Sequence, residues 1–483
     1  MDFVSNGRVY GALVLAWLPL FNGCVTYAPN PVDWEREQKN WHSQNAEPAT
    51  LTLGDFLTLA NVANPEVNRV RMRHANLKRG ARAAGWWEDP SLDAGVSRLL
   101  KGGGWTRGAG VSLVVPLTGI PGLERKAAEA YAGAGAFEVL LAERKLAADV
   151  REAWVEWAAA KALLELREGF VAEAEKILEQ AEKLANLGEL PREEFSAMQR
   201  IVSGTRAALV ASRKDVPQKR AALLELAGIH PAANVVLMEG EAPPSLMTGM
   251  PSLRLDGVSP SKFFDEGDLV SHPAANVVLM EGEAPPSLMT GMPSLRLDGV
   301  SPSKFFNEGD LVSHPAVMAK LAEFNATEQQ LRIEIKKQWP EVSLGPTVEH
   351  DGELKGGLAF GVTLPLWNRN RAGIASAEGL RDEARQECVD VWRSLVYASH
   401  RARAEIETLE AMFAVAHSMC FAAMENHQTL MSLDALGETD LQMRFESMQM
   451  VFETMERCLE LEMELAQTNI RAVGDMLANG FEN

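Results

Sequence analysis

The sequence predicts an internally duplicated α+β membrane protein, in which long helices accompany a transmembrane β-barrel that several copies of the chain share. Three observations lead to this prediction. The 483-residue chain repeats one order of landmarks after about 250 residues. Each repeat contains two segments that alternate between apolar and polar residues, as strands do. Each also contains more than 60 residues of helix-favouring sequence without a proline.

Corresponding landmarks define the two repeats. Pro65 and Pro315 are 250 positions apart, and Leu187-Gly188-Glu189 recurs as Leu436-Gly437-Glu438 after 249 positions. A repeat of this length indicates two structural halves, each with a helix, a β-hairpin, a very long helix, a tip and a returning helix. The predicted segments are a signal peptide at 1–23, a lipid-anchored extended segment at 24–50, a first repeat at 51–229 with a hairpin at 91–117, a linker at 230–313, and a second repeat at 314–483 with a hairpin at 341–366.

The linker is itself a tandem duplication. Residues 230–271 recur as 272–313, a period of 42, and the two copies differ only at Asp265 and Asn307. Such near-identity indicates a recent in-frame duplication or a sequence-assembly error. Because loop-closure entropy grows only logarithmically with length, we expect the second copy to be functionally silent.

The N-terminus has the pattern of a secretion signal. An apolar core from Val9 to Leu20 follows Arg8, and Gly23-Cys24 then resembles a bacterial lipoprotein box. We therefore predict that Cys24 is lipidated and tethers the chain to the outer membrane. An ordinary signal peptide with an incidental cysteine is the alternative. The remaining cysteines are widely spaced, give no disulfide framework, and are expected to be buried small hydrophobes: Cys388, Cys420 and Cys458.

Charge and hydropathy exclude several classes of protein. A net charge of −19 makes nucleic acid an improbable partner and favours cations in any pore that the chain lines. No uninterrupted run of 18 apolar residues exists beyond the N-terminus, which argues against a polytopic helical membrane protein.

Two alternating segments in each half predict four strands. Their apolar positions are Leu92, Ala94 and Val96, then Ala109, Val111, Leu113, Val115 and Leu117, then Val342, Leu344, Pro346 and Val348, then Leu358, Phe360, Val362, Leu364 and Leu366. Small or polar residues lie between them, which is typical of a barrel with a lipid-facing and a lumen-facing side. A soluble β-sandwich face gives the same alternation and stays open as an alternative. Since two hairpins leave open edges and cannot enclose a lumen, the predicted barrel is shared between subunits.

Tryptophans lie at the helix-side ends of these predicted strands. Trp86 and Trp87 precede the first strand, Trp339 precedes the third, and Trp367 follows the fourth. Because tryptophan is enriched where a membrane protein meets the headgroup region, these four residues predict a membrane-interface belt.

Long helices are predicted over 123–187 and 374–436. Heptad-like seams of small and apolar residues indicate that each pairs with its returning helix as in a coiled coil. An isolated rod-like coiled coil is the alternative, but it does not explain why strands recur at the same end of each long helix.

Several motifs carry a family resemblance. They are Leu53-Gly54-Asp55-Phe56-Leu57 and Ala63-Asn64-Pro65-Glu66-Val67 at the entry, the Leu-Gly-Glu tips at 187–189 and 436–438, and Gly361-Val362-Thr363-Leu364-Pro365-Leu366-Trp367-Asn368-Arg369-Asn370-Arg371. With them the chain resembles, over nearly its whole length, the TolC family of outer-membrane efflux proteins. The last string is similar to the heavy-metal, cobalt-zinc-cadmium type branch. Pro191 in the first tip departs from the family, which usually carries a polar residue there.

The resemblance implies an assembly and its partners. Three chains would form a β-barrel in the outer membrane, with four strands from each chain, continuing into a periplasmic barrel of long α-helices. This homotrimer would sit in outer-membrane lipid and engage a periplasmic membrane-fusion adaptor and an inner-membrane RND-type pump, with metal cations as the implied cargo. A type I protein secretion channel with the same fold and a periplasmic helical adaptor without transport remain alternatives.

Candidate functional residues belong to a channel rather than to an enzyme. The sequence contains no nucleophile motif and no phosphate loop, so we expect neither catalysis nor a cofactor. The helix tips are expected to form an acidic periplasmic gate, with simple helix capping as the alternative reading. The predicted gate residues are Gly188, Glu189, Gly437, Glu438, Thr439 and Asp440.

A weaker candidate is a metal-binding helix face. His417, Cys420 and Met424, followed by His427 and Met431, recur at helical spacing and present soft ligands. The same spacing is that of a packing seam, in which methionine is common filler, and we favour that reading.

Overall fold

The computed structural model describes residues 27–29, 31–44, 49–98, 105–230, 233, 235–237, 310–350, 353–363, 365, 367–434 and 440–476. The predicted signal peptide, Cys24 and three predicted gate residues (Gly437, Glu438 and Thr439) lie outside these ranges, as does most of the duplicated linker. The chain divides into two compact units, residues 1–48 and 49–483. In the first, the structure describes one helix, α1 (Trp34–Gln44).

The second unit is built mainly from long helices. They are α2 (Leu53–Ala63), α3 (Pro65–Ala83), α4 (Ile120–Leu187), α5 (Arg192–Leu226), α6 (Pro315–Lys336), α7 (Arg371–Asp434) and α8 (Leu441–Met476). α4 has 68 residues and α7 has 64. At 1.5 Å per residue each extends about 100 Å, well beyond the diameter of a small domain.

Equivalent capping residues precede α3 in the first half and α6 in the second half. The Asn64 side chain accepts a hydrogen bond from the backbone N–H of Val67 at 3.0 Å, and α3 begins immediately after it. The His314 side chain accepts one from Ala316 at 3.2 Å before α6. In both cases a proline follows at the first helical position, where its missing N–H has no cost. The repeated landmark therefore has a local structural reason.

Four strands form one antiparallel sheet. They are β2 (Ser91–Arg98), β3 (Trp105–Val115), β5 (Glu341–His350) and β6 (Leu354–Thr363), in the order β2, β3, β5, β6. The pairing of β3 with β5 joins the hairpin of the first half to that of the second. A separate parallel pair consists of β1 (Ala49–Leu51) and β4 (Val235–Leu237). The latter strand lies in the first copy of the duplicated linker.

A glycine permits the close approach of the two hairpins. A Cβ atom at Gly345 of β5 would lie 1.6 Å from the carbonyl oxygen of Val111 on β3, far inside any real contact. The following residue, Pro346, has no N–H for the ladder, which contributes to the local gap in pairing. The sheet can therefore form here only with glycine at position 345.

α4 is the central helix of the unit. Along its first part it packs on α3 and α6, where Phe137 meets Met318. Along its second part it packs on α5 and α8, where Val155 meets Ile470. Since α7 packs on α6 and α8, the helices form a layer in the order α3, α4, α6, α7 near the sheet and α5, α4, α8, α7 near the tips.

Aromatic clusters and charged pairs hold this layer together. Near the β1–β4 pair, Phe56 and Trp154 contact edge to face at 6.1 Å, and farther along α4 the ring of Phe170 stacks on Phe452 at 4.3 Å. Charged residues of α4 also pair with its neighbours. These pairs are Glu143 with Arg71 of α3, Glu156 with Lys219 of α5, and Glu152 with Arg471 and Arg167 with Glu456 of α8.

Candidate functional site

The two faces of the four-stranded sheet differ in chemistry. Strand register places the larger apolar side chains on one face, where they are exposed. These residues are Leu92, Val96, Val111, Leu344, Val348, Leu354, Leu358, Phe360 and Val362. A contiguous exposed apolar surface of this kind is typical of contact with lipid or with another protein.

The opposite face of the sheet is small and polar. Ser91 and Ser112 are hydrogen-bonded at 2.6 Å, and the Ser112 hydroxyl also donates to Asp93 at 3.2 Å. Glu349 stands directly opposite Lys355 on the neighbouring strand. This face therefore suits contact with water and carries both polar groups and charges.

The four predicted belt tryptophans are all exposed at the junctions between strands and helices. Trp86 and Trp87 lie between α3 and β2, Trp339 between α6 and β5, and Trp367 between β6 and α7. Trp367 is 95% exposed. Among the described residues, these rings have little cover, and exposed aromatic surface of this kind is typical of contact with lipid or another chain.

A further tryptophan lies at the opposite end of the sheet. Trp105 begins β3 on the apolar face, opposite Arg98 of β2, and the Arg98 guanidinium lies 5.7 Å from the ring centre. Sequence reasoning missed this residue, although a tryptophan directly before an alternating segment was the available signal. The apolar face is therefore bounded by aromatic residues at both ends.

The string at 368–371 forms a tight junction between β6 and α7. Arg369 and Asn370 have positive φ angles of 44° and 50°. The Asn370 amide donates to the backbone oxygen of Glu334 at 2.9 Å and to its carboxylate at 2.6 Å. These bonds fix the start of α7 against the end of α6 and offset the backbone strain at two non-glycine residues.

Hydrogen bonds also lower the pKa of the Glu334 carboxyl group. The Lys337 ammonium and the Asn370 amide both donate to its carboxylate and lower its pKa from the ordinary value. The junction that connects sheet and helices is therefore stabilised by an ionised Glu334.

The first predicted gate segment is a compact helix-to-helix turn. Gly188 ends α4 in the left-handed region at φ 80°. The N–H of Glu189 donates to Leu184 O at 3.0 Å, and the side chain of Leu190 is buried. These are the features of a glycine C-cap with its hydrophobic contact. The Glu189 side chain remains exposed at the tip.

Pro191 and Asp440 precede the returning helices. Pro191 has φ −60°, which suits its ring, and its carbonyl accepts the N–H of Phe195 at 3.2 Å. In the second tip Asp440 is exposed, and its backbone carbonyl accepts the N–H of Arg444 at 3.2 Å. The described residues thus show a glycine cap at the first tip, and Glu189 and Asp440 are both exposed.

The predicted metal-binding residues are divided between different environments. His417 is exposed beside Phe413, and Met424 is exposed, whereas Cys420 is buried. Burial raises the pKa of the Cys420 thiol and so disfavours the thiolate that would bind a metal. Within the described ranges, no group of three His, Cys, Asp or Glu side chains is placed to hold a metal ion.

His427 lies in a cleft between α4, α7 and α8. Its Nδ1 is 2.9 Å from the Ser447 hydroxyl, and burial together with the nearby Arg444 lowers its pKa. The cleft has a volume of about 360 Å³, and Met431 and Met448 are among its lining residues. This environment favours a neutral imidazole in a largely apolar seam.

α7 presents a long apolar surface with little cover. Of the helices described, only α7 has a window apolar and long enough to cross a membrane by composition, with a mean hydropathy of 1.2, and 28% of that window is buried. Composition of this kind also fits a helix that packs against other protein. Its exposed apolar residues include Met412, Val415, Met419, Phe421 and Met424.

Comparison with known proteins identifies the fold. No family model and no curated protein matches the sequence. Among solved structures, the outer membrane protein VceC of Vibrio cholerae matches with a TM-score of 0.63 at 15% identity, over 89% of this chain and 97% of VceC. The CmeC outer membrane channel of Campylobacter jejuni matches with a TM-score of 0.62 at 12% identity, over 95% of this chain and 91% of CmeC.

A third match is the open state of the MtrE outer membrane channel of Neisseria gonorrhoeae. It has a TM-score of 0.60 at 16% identity and covers 89% of each chain. Because these matches extend over nearly the full length of both partners, they include the strands and the long helices together. The chain therefore has the fold of these outer membrane channels.

Proposed function

We propose that this chain is one subunit of a homotrimeric outer-membrane channel in a tripartite efflux system. In this role it receives substrates from a periplasmic adaptor and an inner-membrane RND-type pump and passes them to the exterior. The observation that carries the proposal is a sheet with one exposed apolar face and two unpaired edges, joined to a helical layer that is also open at both sides.

The sheet supports a barrel that several chains complete. Among the described strands, β2 and β6 are the outer ones and pair on one side only, so their remaining backbone groups need partners. Lipid supplies none, and only a closed barrel satisfies every strand edge in a membrane. In a cyclic assembly, β6 of one copy pairs with β2 of the next. The apolar face then meets lipid, and the tryptophans at both ends lie at the two interfaces.

The helices support the same closure. α7 and α5 form the two outer sides of the layer near the tips, and the exposed apolar surface of α7 has little cover from the residues that the structure describes. A neighbouring copy that places α5 against α7 buries this surface. A single symmetry operation therefore closes the sheet and the helical layer together. Three copies contribute the strands of a barrel wide enough to enclose an aqueous channel.

Charge supports cations as cargo, the finer part of the proposal. The polar face of the sheet carries three carboxylates and one ammonium: Asp93, Glu341, Glu349 and Lys355. Glu189 and Asp440 add exposed carboxylates at the tips, to which we also assign Glu438 from the sequence. Rings of like charge formed by symmetry attract counter-ions over roughly one Debye length, about 8 Å at physiological salt. We assign metal cations as the cargo on this basis and on the family resemblance.

The N-terminal anchor belongs to the same proposal. Lipidation of Cys24 places residue 24 at the inner surface of the outer membrane, the side from which the helices extend into the periplasm. A Cys24→Ala variant is expected to lose incorporation of a palmitate analogue. Unchanged incorporation contradicts the assignment.

Oligomeric state and conductance test the channel. Native mass measurement of the full chain in mild detergent is expected to give three copies, and planar bilayers with the purified protein are expected to show cation-selective conductance. A stable monomer without conductance contradicts the proposal. Replacing Glu189 and Glu438 with Gln and Asp440 with Asn is expected to reduce cation selectivity while the trimer persists. Asp382→Asn, on the sheet-side part of α7, is the matched control and should leave selectivity unchanged.

A further inference from the structure

The charged residues of the four-stranded sheet are sorted between its two faces. The carboxylates of the strands belong to the polar face, whereas the register places both arginines, Arg98 and Arg107, on the apolar face. A charged group on a lipid-facing surface is costly near the middle of a bilayer and costs little at its boundary. The position of these arginines along the strands therefore decides what they can do.

Both arginines lie at the end of the sheet that is farthest from the helices. Arg98 ends β2, and Arg107 lies close to the start of β3, whereas the predicted belt tryptophans lie at the opposite ends of the strands. The stretch of β3 from Arg107 to Val115 is about 27 Å long at about 3.4 Å per residue. A tilt of about 40° reduces this length to a height of about 20 Å, close to the apolar band of about 25 Å in transmembrane barrels. The arginines therefore lie at the boundary of the apolar band.

An imidazole and an indole lie beside the two guanidinium groups. Arg107 is directly opposite His350 of β5, and Arg98 is directly opposite Trp105, with its guanidinium carbon 5.7 Å from the ring centre. Arg98 and Arg107 are diagonal neighbours on adjacent strands, which corresponds to a backbone spacing of roughly 7 to 8 Å. All four side chains are exposed. We call these four residues the basic cluster.

The cross-strand partners of the arginines supply no negative charge. Arg107 lies opposite Val96 on one side and His350 on the other, and His350 lies opposite Leu354. Glu349 precedes His350 but belongs to the polar face, where it is opposite Lys355. Two guanidinium groups this close repel each other, and an external anion offsets that repulsion. Phosphate suits the position because its oxygens match the paired donors of a guanidinium group.

We propose that the basic cluster binds the phosphate of anionic lipid headgroups at the outer surface of the outer membrane. The proposal rests on the proposed function, because that function places the apolar face in lipid and the helix-distal end of the sheet at the exterior. The acyl chains of such a lipid lie along the exposed apolar side chains next to the cluster, including Val96 and Leu354. Trp105 is then at the level of the headgroups, which its ring favours.

The sorting of charge gives the two faces separate tasks. The carboxylates face the aqueous channel, and the basic cluster faces the membrane. A symmetric assembly repeats the cluster once for each subunit, so that several headgroups are held around the barrel at one height. Lipid binding at the cluster therefore fixes the depth of the sheet in the membrane from the exterior side.

Lipid binding to the purified full-length protein tests the proposal. The protein in mild nonionic detergent is mixed with phosphatidylglycerol or, separately, with phosphatidylcholine, and bound lipid is counted by native mass spectrometry. We expect tighter binding of phosphatidylglycerol. The double variant Arg98→Gln, Arg107→Gln should lose this preference, with phosphatidylglycerol affinity reduced about fivefold for each arginine. Lys355→Gln is the matched control, because Lys355 lies at the same end of the sheet on the polar face, and it should keep the preference.

Further comparisons identify the ligand and separate binding from folding. The double variant Arg98→Lys, Arg107→Lys keeps both charges and should retain most of the preference, which distinguishes lost binding from a folding defect. Equal affinity of the unaltered protein for both lipids overturns the proposal, and so does an equal loss in Lys355→Gln. Displacement of phosphatidylglycerol by an equal concentration of inorganic phosphate overturns it in favour of a soluble anion. The same mass spectra report the number of chains, so a failure of the trimer is recorded separately from a failure of lipid binding.

Discussion

The Arg167 cluster gives a quantitative test of how the helical layer is held together. Arg167 lies on the central helix α4 and connects three helices. Its Nε donates to the Glu456 carboxylate of α8 at 3.1 Å, and its Nη1 donates to the Ser212 hydroxyl of α5 at 2.6 Å. The Arg167 and Glu456 side chains are only 17% and 23% exposed. We expect Arg167→Met to destabilise the chain because it removes the charge while keeping most of the side-chain length.

The expected loss in the free energy of unfolding follows from the burial of Glu456, the charged partner that remains. Breaking a fully buried ion pair costs about 3 to 5 kcal/mol, since the remaining charge is desolvated without a partner. Glu456 retains some contact with water, so we expect a loss of about 2 to 3 kcal/mol in the free energy of unfolding. In the double variant Arg167→Met, Glu456→Met no unpaired charge remains. Its loss should be smaller than the sum of the two single losses by about 1 to 3 kcal/mol.

Denaturant unfolding in detergent, followed by far-UV circular dichroism at one protein concentration, measures these differences. Arg213→Met is the matched control, because Arg213 of α5 pairs with Glu168 of α4 at 3.0 Å but with side chains 60% and 45% exposed. Its expected cost is below about 1 kcal/mol. Equal losses for Arg167→Met and Arg213→Met would refute the reasoning that burial determines the strength of these pairs.

Three other predictions concern the sheet, the junction and the linker. Gly345→Ala should abolish the β3–β5 pairing because its Cβ cannot fit beside Val111 O, and limited trypsin digestion in detergent should then cleave the sheet; Gly95→Ala, where a Cβ meets no atom within 4 Å, should stay resistant. Glu334 has a lowered pKa, so its stabilising contribution is present at neutral pH and is lost as pH falls from the unfolded-state value through the folded one. Glu334→Gln should therefore be less stable at neutral pH and show a smaller loss on acidification through the folded-state pKa, and an unchanged acid dependence would contradict this assignment. Deleting residues 252–293, which keeps one complete linker copy, should leave thermal stability and conductance unchanged, since loop closure depends only weakly on length; a clear loss of either would show that the duplication has a role.

Strands and helices with a regular pattern of apolar residues could be predicted from the sequence. The alternation around Val111 and Phe360 lies in strands, and the proline-free stretches lie in α4 and α7, because periods of 2.0 and 3.6 are recorded in neighbouring residues. The three-residue strands β1 and β4 were not predicted. They are too short for a period, and they pair across more than 180 residues.

The candidate site was harder to predict from the sequence, because its contacts depend on the register between distant elements. His427 was assigned to a single helix face, whereas its Nδ1 contacts Ser447 of α8, and helix-to-helix register is not visible in one sequence. Asn370 was noted only as part of a family motif. Its role at Glu334 depends on two positive φ angles that no periodicity reports.

The position of α4 at the centre of the layer has a consequence for biogenesis. Its partners in α8 are contributed by residues about 300 positions later, as in the pairs of Arg167 with Glu456 and Glu152 with Arg471. Contacts this distant cannot form until α8 has been synthesised, and a high share of them slows folding. The first half of the chain must therefore wait with the α8-facing side of α4 uncovered, a state prone to aggregation that folding chaperones are suited to protect. The order of the helices thus makes the synthesis of α8 the limiting step in folding this protein, and truncations that remove α8 should be poorly tolerated.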